Sequence, residues 1–100
     1  MKKSENKDLW SGWLDFNQSN ITTADISDKS GVFKVHASMK ILYIGSSINL
    51  RKSLLELISD PCVSKARRFS YLVTDKAEQV KDQLLKEYLE SHDGRMPECM

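Results

Sequence analysis

Residues 31–53 constrain the fold more than any other stretch, because strand and helix signals follow one another there without a gap. Two runs rich in β-branched and aromatic residues, 31–37 and 40–45, are separated only by residues 38–39. Such a pair predicts a β-hairpin with a tight turn. Ser46 and Ser47 then offer N-cap oxygens to an apolar helical pattern. The stretch therefore predicts strand, turn, strand and capped helix.

The patterns after this stretch predict the rest of the sheet and its helices. The helical period covers residues 49–59 and ends at Asp60-Pro61, since proline disfavours helical geometry in the residue before it. Alternating apolar residues predict a third strand over residues 67–73, and Thr74 or Asp75 is expected to cap a last helix ending near residue 91. The sequence thus predicts an α+β fold with a small three-stranded antiparallel sheet flanked by helices.

Residues 1–30 are predicted to form an N-terminal arm that packs on the core, and residues 31–100 the domain itself. The first eight residues are expected to be disordered, and Ser19 or Asn20 is expected to cap a short helix over residues 21–24. Trp10 and Trp13 belong to an aromatic cluster that we interpret as an anchor on the core. Stacking on a nucleobase is the functional alternative.

Length and cysteine content limit the class of protein. One hundred residues make one domain, no apolar run approaches a membrane span, and no apolar run follows the polar N-terminus as in a signal peptide. Cys62 and Cys99 lack the spacing of a zinc site or a disulfide scaffold, so we expect reduced thiols and a cytoplasmic protein without membrane contact.

The charge is concentrated in the middle of the chain, although the whole protein carries only +1. Residues 31–70 contain seven basic and two acidic residues, whereas the segments before and after them are net acidic. A local basic face on a nearly neutral protein can bind phosphates. The alternative is that these cations only solvate the surface.

Two triplets in the hairpin carry a resemblance to a known family. Tyr43-Ile44-Gly45 reproduces the second triplet of the GIY-YIG nucleases, and Gly31-Val32-Phe33 stands where that family has its first. The spacing between the triplets and the run Ser-Ser-Ile-Asn-Leu-Arg-Lys after them are also typical. The chain therefore resembles this family over about residues 31–90, which implies a three-stranded sheet flanked by helices.

The resemblance also implies a site for metal-dependent phosphodiester hydrolysis. Active members use a tyrosine from each triplet, an arginine on the next helix and a glutamate on a later helix that binds Mg²⁺ or Mn²⁺. Tyr43 and Gly45 match this pattern. Phe33, Ser53 and Lys81 stand at the positions of the first tyrosine, the arginine and the glutamate. Glu78 is the substitute carboxylate for a metal, and Met100 lies near the position of a late asparagine.

Three functions are compatible with these substitutions. The first is a nucleic-acid-binding module with lost or weak activity, which binds DNA or RNA through a set of basic residues: Arg51, Lys52, Lys65, Arg67 and Arg68. The second is an active endonuclease with a rearranged site, in which Arg67 or Arg68 reaches the phosphate and Glu78 holds the metal. The third is a protein-interaction subunit that uses the Trp10 and Trp13 arm.

Overall fold

The computed structural model describes residues 10–37 and 40–100. The predicted turn at residues 38–39 and the predicted disorder of residues 1–8 lie outside this range. The elements are β1 (Leu14–Asp15), α1 (Gln18–Thr23), β2 (Gly31–Ala37), β3 (Lys40–Ser47), α2 (Leu50–Ile58), a 3₁₀ turn (Val63–Lys65), β4 (Arg68–Val73) and α3 (Ala77–Ser91).

The described strands form one antiparallel sheet in the order β1-β4-β2-β3. The α+β class and the antiparallel pairing are confirmed, but the sheet has four strands rather than the predicted three. The additional strand is β1, where Leu14 pairs with Phe69 and Asp15 with Arg68. Two residues are too few to produce a visible alternation, so the sequence pattern did not reveal it.

Helices cover both faces of the sheet. Phe33, Val35 and Phe69 point to one face, where they pack with Leu50 and Leu54 of α2. On the other face, Val32, Ile44 and Leu72 are buried under α3, which lies against β2 and β3. Successive side chains of a strand alternate between the two faces of a sheet. This arrangement therefore buries the side chains on the α2 face and those on the α3 face.

The arm before β2 contributes to the core. Ile21 of α1 and Ile26 after it are fully buried in the cluster that contains Phe33 and Leu54. Phe16 packs against the same cluster and donates its backbone N–H to the carbonyl of Arg67.

The helices begin at positions slightly different from those predicted. Asn17 caps α1, and Asn49 caps α2 by accepting from the backbone N–H of Lys52. The predicted caps Ser19, Asn20, Ser46 and Ser47 are therefore wrong, because α1 begins earlier than predicted and β3 extends through Ser47.

The last helix has no side-chain cap. Lys76 occupies the N-cap position of α3 without such a hydrogen bond, so the predicted caps Thr74 and Asp75 are also wrong. The hydroxyl of Thr74 instead accepts from the N–H of Lys76 in the turn before the helix.

Cys62 and Cys99 form a disulfide, so the prediction of reduced thiols is wrong. Their Cα atoms lie 5.8 Å apart although 37 positions separate them in the sequence. The C-terminal tail, residues 95–100, is thereby attached beside β3, where the N–H of Cys99 donates to the carbonyl of Leu42. Spacing along a chain carries no information about this proximity. In the described part of the chain, no helix is both long and apolar enough to cross a membrane.

We expect Gly31→Ala to destabilise the protein by about 2 kcal/mol, because overpacking a tight core costs this order of free energy. A methyl group at Gly31 would overlap the backbone carbonyl of Leu72 and lie 2.9 Å from Cδ1 of Leu50. Gly12→Ala is the matched control, since no atom of the described residues lies within 4 Å of a Cβ there. Urea denaturation measures both free energies of unfolding. Equal stability of the two variants would contradict the packing described.

Candidate functional site

The two triplets lie side by side on neighbouring strands, because Phe33 of β2 pairs directly with Gly45 of β3. The rings of Phe33 and Tyr43 stack with centroids 5.8 Å apart and planes within 9°. Gly45 makes room for them, since a Cβ there would lie 2.6 Å from an atom of each ring. The rings border a cleft of about 270 Å³, here called the motif cleft, lined by Phe33, Tyr43, Ser46, Ser53, Glu56, Leu57 and Asp60.

The motif cleft has carboxylates where a phosphate would need cations. Ser53, at the arginine position, shares a 2.6 Å hydroxyl contact with Ser47, whose oxygen also accepts from the N–H of Asn49. Glu56 and Asp60 line the cleft, and no lysine or arginine is among its described lining residues. Two carboxylates repel a phosphate rather than stabilise it. The cleft therefore keeps a tyrosine but offers no positive partner.

Lys81 and Glu78 do not line the motif cleft. Both belong to α3, which covers the opposite face of the sheet. The hydroxyl of Ser46 donates to the Glu78 carboxylate, and Nζ of Lys81 lies 3.9 Å from the other carboxylate oxygen. Among the described residues, Ser46 lines both the motif cleft and the adjoining cavity that Glu78 lines. The family positions thus lie on both sides of the edge strand β3.

These residues do not fit the divalent metal that the resemblance implies. Glu78 has a lysine beside it, and an ammonium group repels a cation. Within residues 10–37 and 40–100, no three His, Cys, Asp or Glu side chains come together as a metal-ligand set. These residues therefore do not support metal-dependent hydrolysis at Glu78.

The predicted nucleic-acid-binding residues fall into two groups at opposite ends of the sheet. Arg51 and Lys52 begin α2, next to the end at which Gly31 pairs with Ser47. Nη2 of Arg51 donates to the carbonyls of Thr22 and Ala24 at 2.9 and 3.1 Å. This guanidinium therefore fastens the α1 segment to α2.

The other group lies where β4 begins and where His36 pairs with Arg68. Lys65, Arg67 and Arg68 are exposed there and are joined by Lys40, which the sequence analysis had not singled out. We call these four residues the basic end. Nζ of Lys40 and Nζ of Lys65 lie 2.6 and 3.3 Å from the two carboxylate oxygens of Glu98. The basic end is thus a cluster of cations with an acidic partner inside it.

Charge contacts shift the pKa values of this group in the expected directions. Hydrogen bonds from Lys40 and Lys65 lower the pKa of Glu98, and its hydrogen bond raises the pKa of Lys40. Arg68 forms a further pair with Asp15 at 3.2 Å. All of these side chains are largely exposed, so the pairs contribute little to stability. They instead determine how much positive charge faces solvent.

Trp13 lies beside the basic end on the α3 side of the sheet. Its ring meets that of His36 at a centroid distance of 3.9 Å, with the planes nearly perpendicular. Nζ of Lys34 lies 4.4 Å from the ring centre of Trp10 and 5.5 Å from that of Trp13. Burial lowers the pKa of Lys34. Trp13 remains 45% exposed and is therefore accessible to a partner.

No protein-family model, no curated protein and no solved structure matches the chain in comparisons with known proteins. The resemblance carried by the two triplets therefore stays a prediction.

We expect Arg51→Ala to lower the free energy of unfolding by about 2 kcal/mol, the usual range for hydrogen bonds to a charged group. The matched control is Lys52→Ala, because Lys52 is the next residue along α2 and its side chain is exposed. Urea denaturation compares the two. A stability loss of equal size in both variants would contradict the structural role assigned to Arg51.

Proposed function

We propose that this chain is a nucleic-acid-binding module of the GIY-YIG nuclease fold whose phosphodiesterase activity is lost or weak. The observation that carries the proposal is the basic end, where four exposed cations gather at one end of the sheet. Its two acidic neighbours, Asp15 and Glu98, leave an excess of positive charge. Such a surface attracts phosphate backbones without reading sequence.

The arrangement of elements supports the fold part of the proposal. The hairpin of β2 and β3 is followed by α2, then β4, then α3, which is the order that the sequence patterns predict, and the resemblance implies a small sheet flanked by helices. Phe33 and Tyr43 of the two triplets stack beside one another at the edge of the sheet. The additional strand β1 lies at the other edge, so it leaves this arrangement unchanged.

The motif cleft supports the loss of catalysis. Removing one donor that stabilises transition-state charge typically lowers a rate by about 10²–10³. Here Ser53 replaces the arginine, Lys81 replaces the glutamate, and Glu56 and Asp60 add negative charge to the cleft. The rearranged site with Arg68 is disfavoured because that side chain pairs with Asp15, at the opposite edge of the sheet from Tyr43.

A nucleobase stacked on Trp13 would complete the binding surface. Exposed aromatic rings beside cations are typical of proteins that bind single strands, because every base presents a π-face. The same exposed ring favours a protein partner as the second candidate function. Collisional quenching of Trp13 without any nucleic-acid binding would support that second candidate.

We place the protein in the cytoplasm as part of the proposal. A single disulfide is compatible with that location, since cytosolic disulfides are usually transient and redox-sensing rather than permanent.

Salt-dependent binding is the first test of the proposed function. Fluorescence anisotropy with labelled single-stranded and duplex DNA or RNA should give affinities that fall steeply as salt rises. Arg67→Ala and Arg68→Ala should each weaken binding about fivefold and reduce the slope of log K against log salt by about one. Lys52→Ala, at the other end of the sheet, is the control and should have a smaller effect. Affinities that do not change with salt would contradict the proposal.

Cleavage assays are the second test. Supercoiled, branched and single-stranded DNA should remain intact with the purified protein and Mg²⁺ or Mn²⁺, because no lysine or arginine is among the described residues that line the motif cleft. Nicking that Tyr43→Phe abolishes would instead establish an active endonuclease. Nicking that survives Tyr43→Phe would indicate a contaminating nuclease, which a second purification would remove.

A further inference from the structure

The C-terminal tail is held against the edge of the sheet by covalent and noncovalent contacts. Cys99 is bonded to Cys62, which lies just before the 3₁₀ turn. Pro97 is fully buried, the N–H of Cys99 donates to the carbonyl of Leu42, and Sδ of Met100 accepts from the N–H of Ile44 at 3.4 Å. The tail therefore lies along β3, the strand that carries Tyr43.

Glu98 stands between two of these anchors. With Pro97 buried on one side and Cys99 cross-linked on the other, its carboxylate is placed between Lys40 and Lys65. It contacts both ammonium groups at once, so one acidic side chain neutralises part of the charge of two cations in the basic end. Phosphates carry the same sign of charge as the Glu98 carboxylate and would have to displace it to contact Lys40 and Lys65.

We propose that the tail is an autoinhibitory element and that the redox state of Cys62 and Cys99 controls its binding to the basic end. The proposal rests on the proposed function, because it names the regulation of the same nucleic-acid surface. With the disulfide formed, Glu98 covers Lys40 and Lys65 and binding is weak. With the disulfide reduced, the tail detaches and all four cations of the basic end meet the phosphates.

The chemical step is thiol–disulfide exchange with a dithiol reductant. A reductant thiolate attacks one protein sulfur, the Cys62–Cys99 bond breaks, and a mixed disulfide forms. The second reductant thiol then displaces the protein sulfur. Two electrons pass to the protein, each cysteine takes up a proton, and the reductant leaves as its own disulfide. Both cysteines are partly exposed, so a reductant can reach them.

The contacts that hold the tail after reduction are all noncovalent in the described part of the chain. The ion pairs of Glu98 are exposed, and pairs of this kind contribute little. In the described part of the chain, the other contacts of the tail are one backbone hydrogen bond from Cys99 to Leu42, the contact of Met100 Sδ with the N–H of Ile44, and the burial of Pro97. While the disulfide is intact, by contrast, detachment of Cys99 requires the 3₁₀ turn to move with it. The cross-link is therefore the element that distinguishes the closed tail from the open one.

The test compares oxidised and reduced full-length protein in anisotropy titrations with a labelled single-stranded DNA 20-mer. Reduction with dithiothreitol should tighten binding about three- to tenfold, the range expected when two exposed ion pairs are released. Glu98→Gln should tighten DNA binding by the oxidised protein by a similar factor. It should also largely remove the effect of the reductant on binding. Cys99→Ser should bind like the reduced protein with or without reductant.

Asp25→Asn is the matched control, because it removes one exposed negative charge away from the tail. It should change the affinity less than twofold and retain the redox effect. Tryptic cleavage after Arg95 gives a readout independent of nucleic acid and should accelerate on reduction. Circular dichroism establishes that the reduced protein and Cys99→Ser remain folded.

Each outcome decides between the two proposals. Salt-dependent binding that neither reduction nor Glu98→Gln alters would overturn the autoinhibitory tail and leave the proposed function intact. Redox control would be overturned if Glu98→Gln tightened DNA binding but reduction had no effect on it. It would also be overturned if the rate of tryptic cleavage after Arg95 did not depend on the reductant. No salt-dependent binding in either redox state or in Glu98→Gln would overturn the proposed function and the regulation with it.

Discussion

The pairing of β2 with strands on both sides is the interaction on which the rest of the structure depends. Gly31 at one end of β2 pairs with Ser47 and Val73, and His36 near the other end pairs with Arg68. Helices bury both faces of this strand, so a slip of one residue would exchange its two sets of side chains. The register of β2 therefore fixes which residues meet in the motif cleft and which meet at the basic end.

This register separates the two halves of the expected chemistry. Phe33 and Tyr43 face the α2 side together with the acidic residues of the motif cleft. Tyr43 pairs with Val35, one residue before His36, which pairs with Arg68 at the basic end, but none of the cations of the basic end is among the described residues that line the motif cleft. Glu78 and Lys81 lie on the α3 side. The motif cleft itself is lined by Glu56 and Asp60, which would repel a phosphate held by these cations, and this suits binding better than hydrolysis.

The sequence predicted the parts of the fold that local pattern specifies. The hairpin strands, α2, β4 and α3 have strong apolar periods and were placed within one or two residues, because burial of one face repeats along each element. The stacking of Phe33 on Tyr43 was not foreseen, because it depends on the register shift between Val35 and His36 that brings Phe33 opposite Gly45. The N-caps of α1 and α2 were missed by a few positions, since several Ser and Asn residues near each helix start can serve equally well, whereas Lys76 at the N-cap position of α3 makes no side-chain cap hydrogen bond.

Long-range contacts could not be predicted. The disulfide, the pair of Lys40 with Glu98 and the short strand β1 each join segments far apart in the chain, and no local pattern marks them. The basic segment was visible as net charge, but its division between two ends of the sheet depended on the register of β4. The structural role of Arg51 could not be predicted either, because its carbonyl partners, Thr22 and Ala24, lie far from it in the sequence.

The most direct test of the account is amide chemical-shift mapping of the reduced, ¹⁵N-labelled protein during titration with single-stranded DNA. The account predicts that the largest shifts cluster at Lys40, Lys65, Arg67 and Arg68, with smaller shifts at Trp13 and few at Arg51 or in α3. Shifts concentrated around Tyr43 and Ser53 in the motif cleft, or no shifts at any DNA concentration, would contradict it.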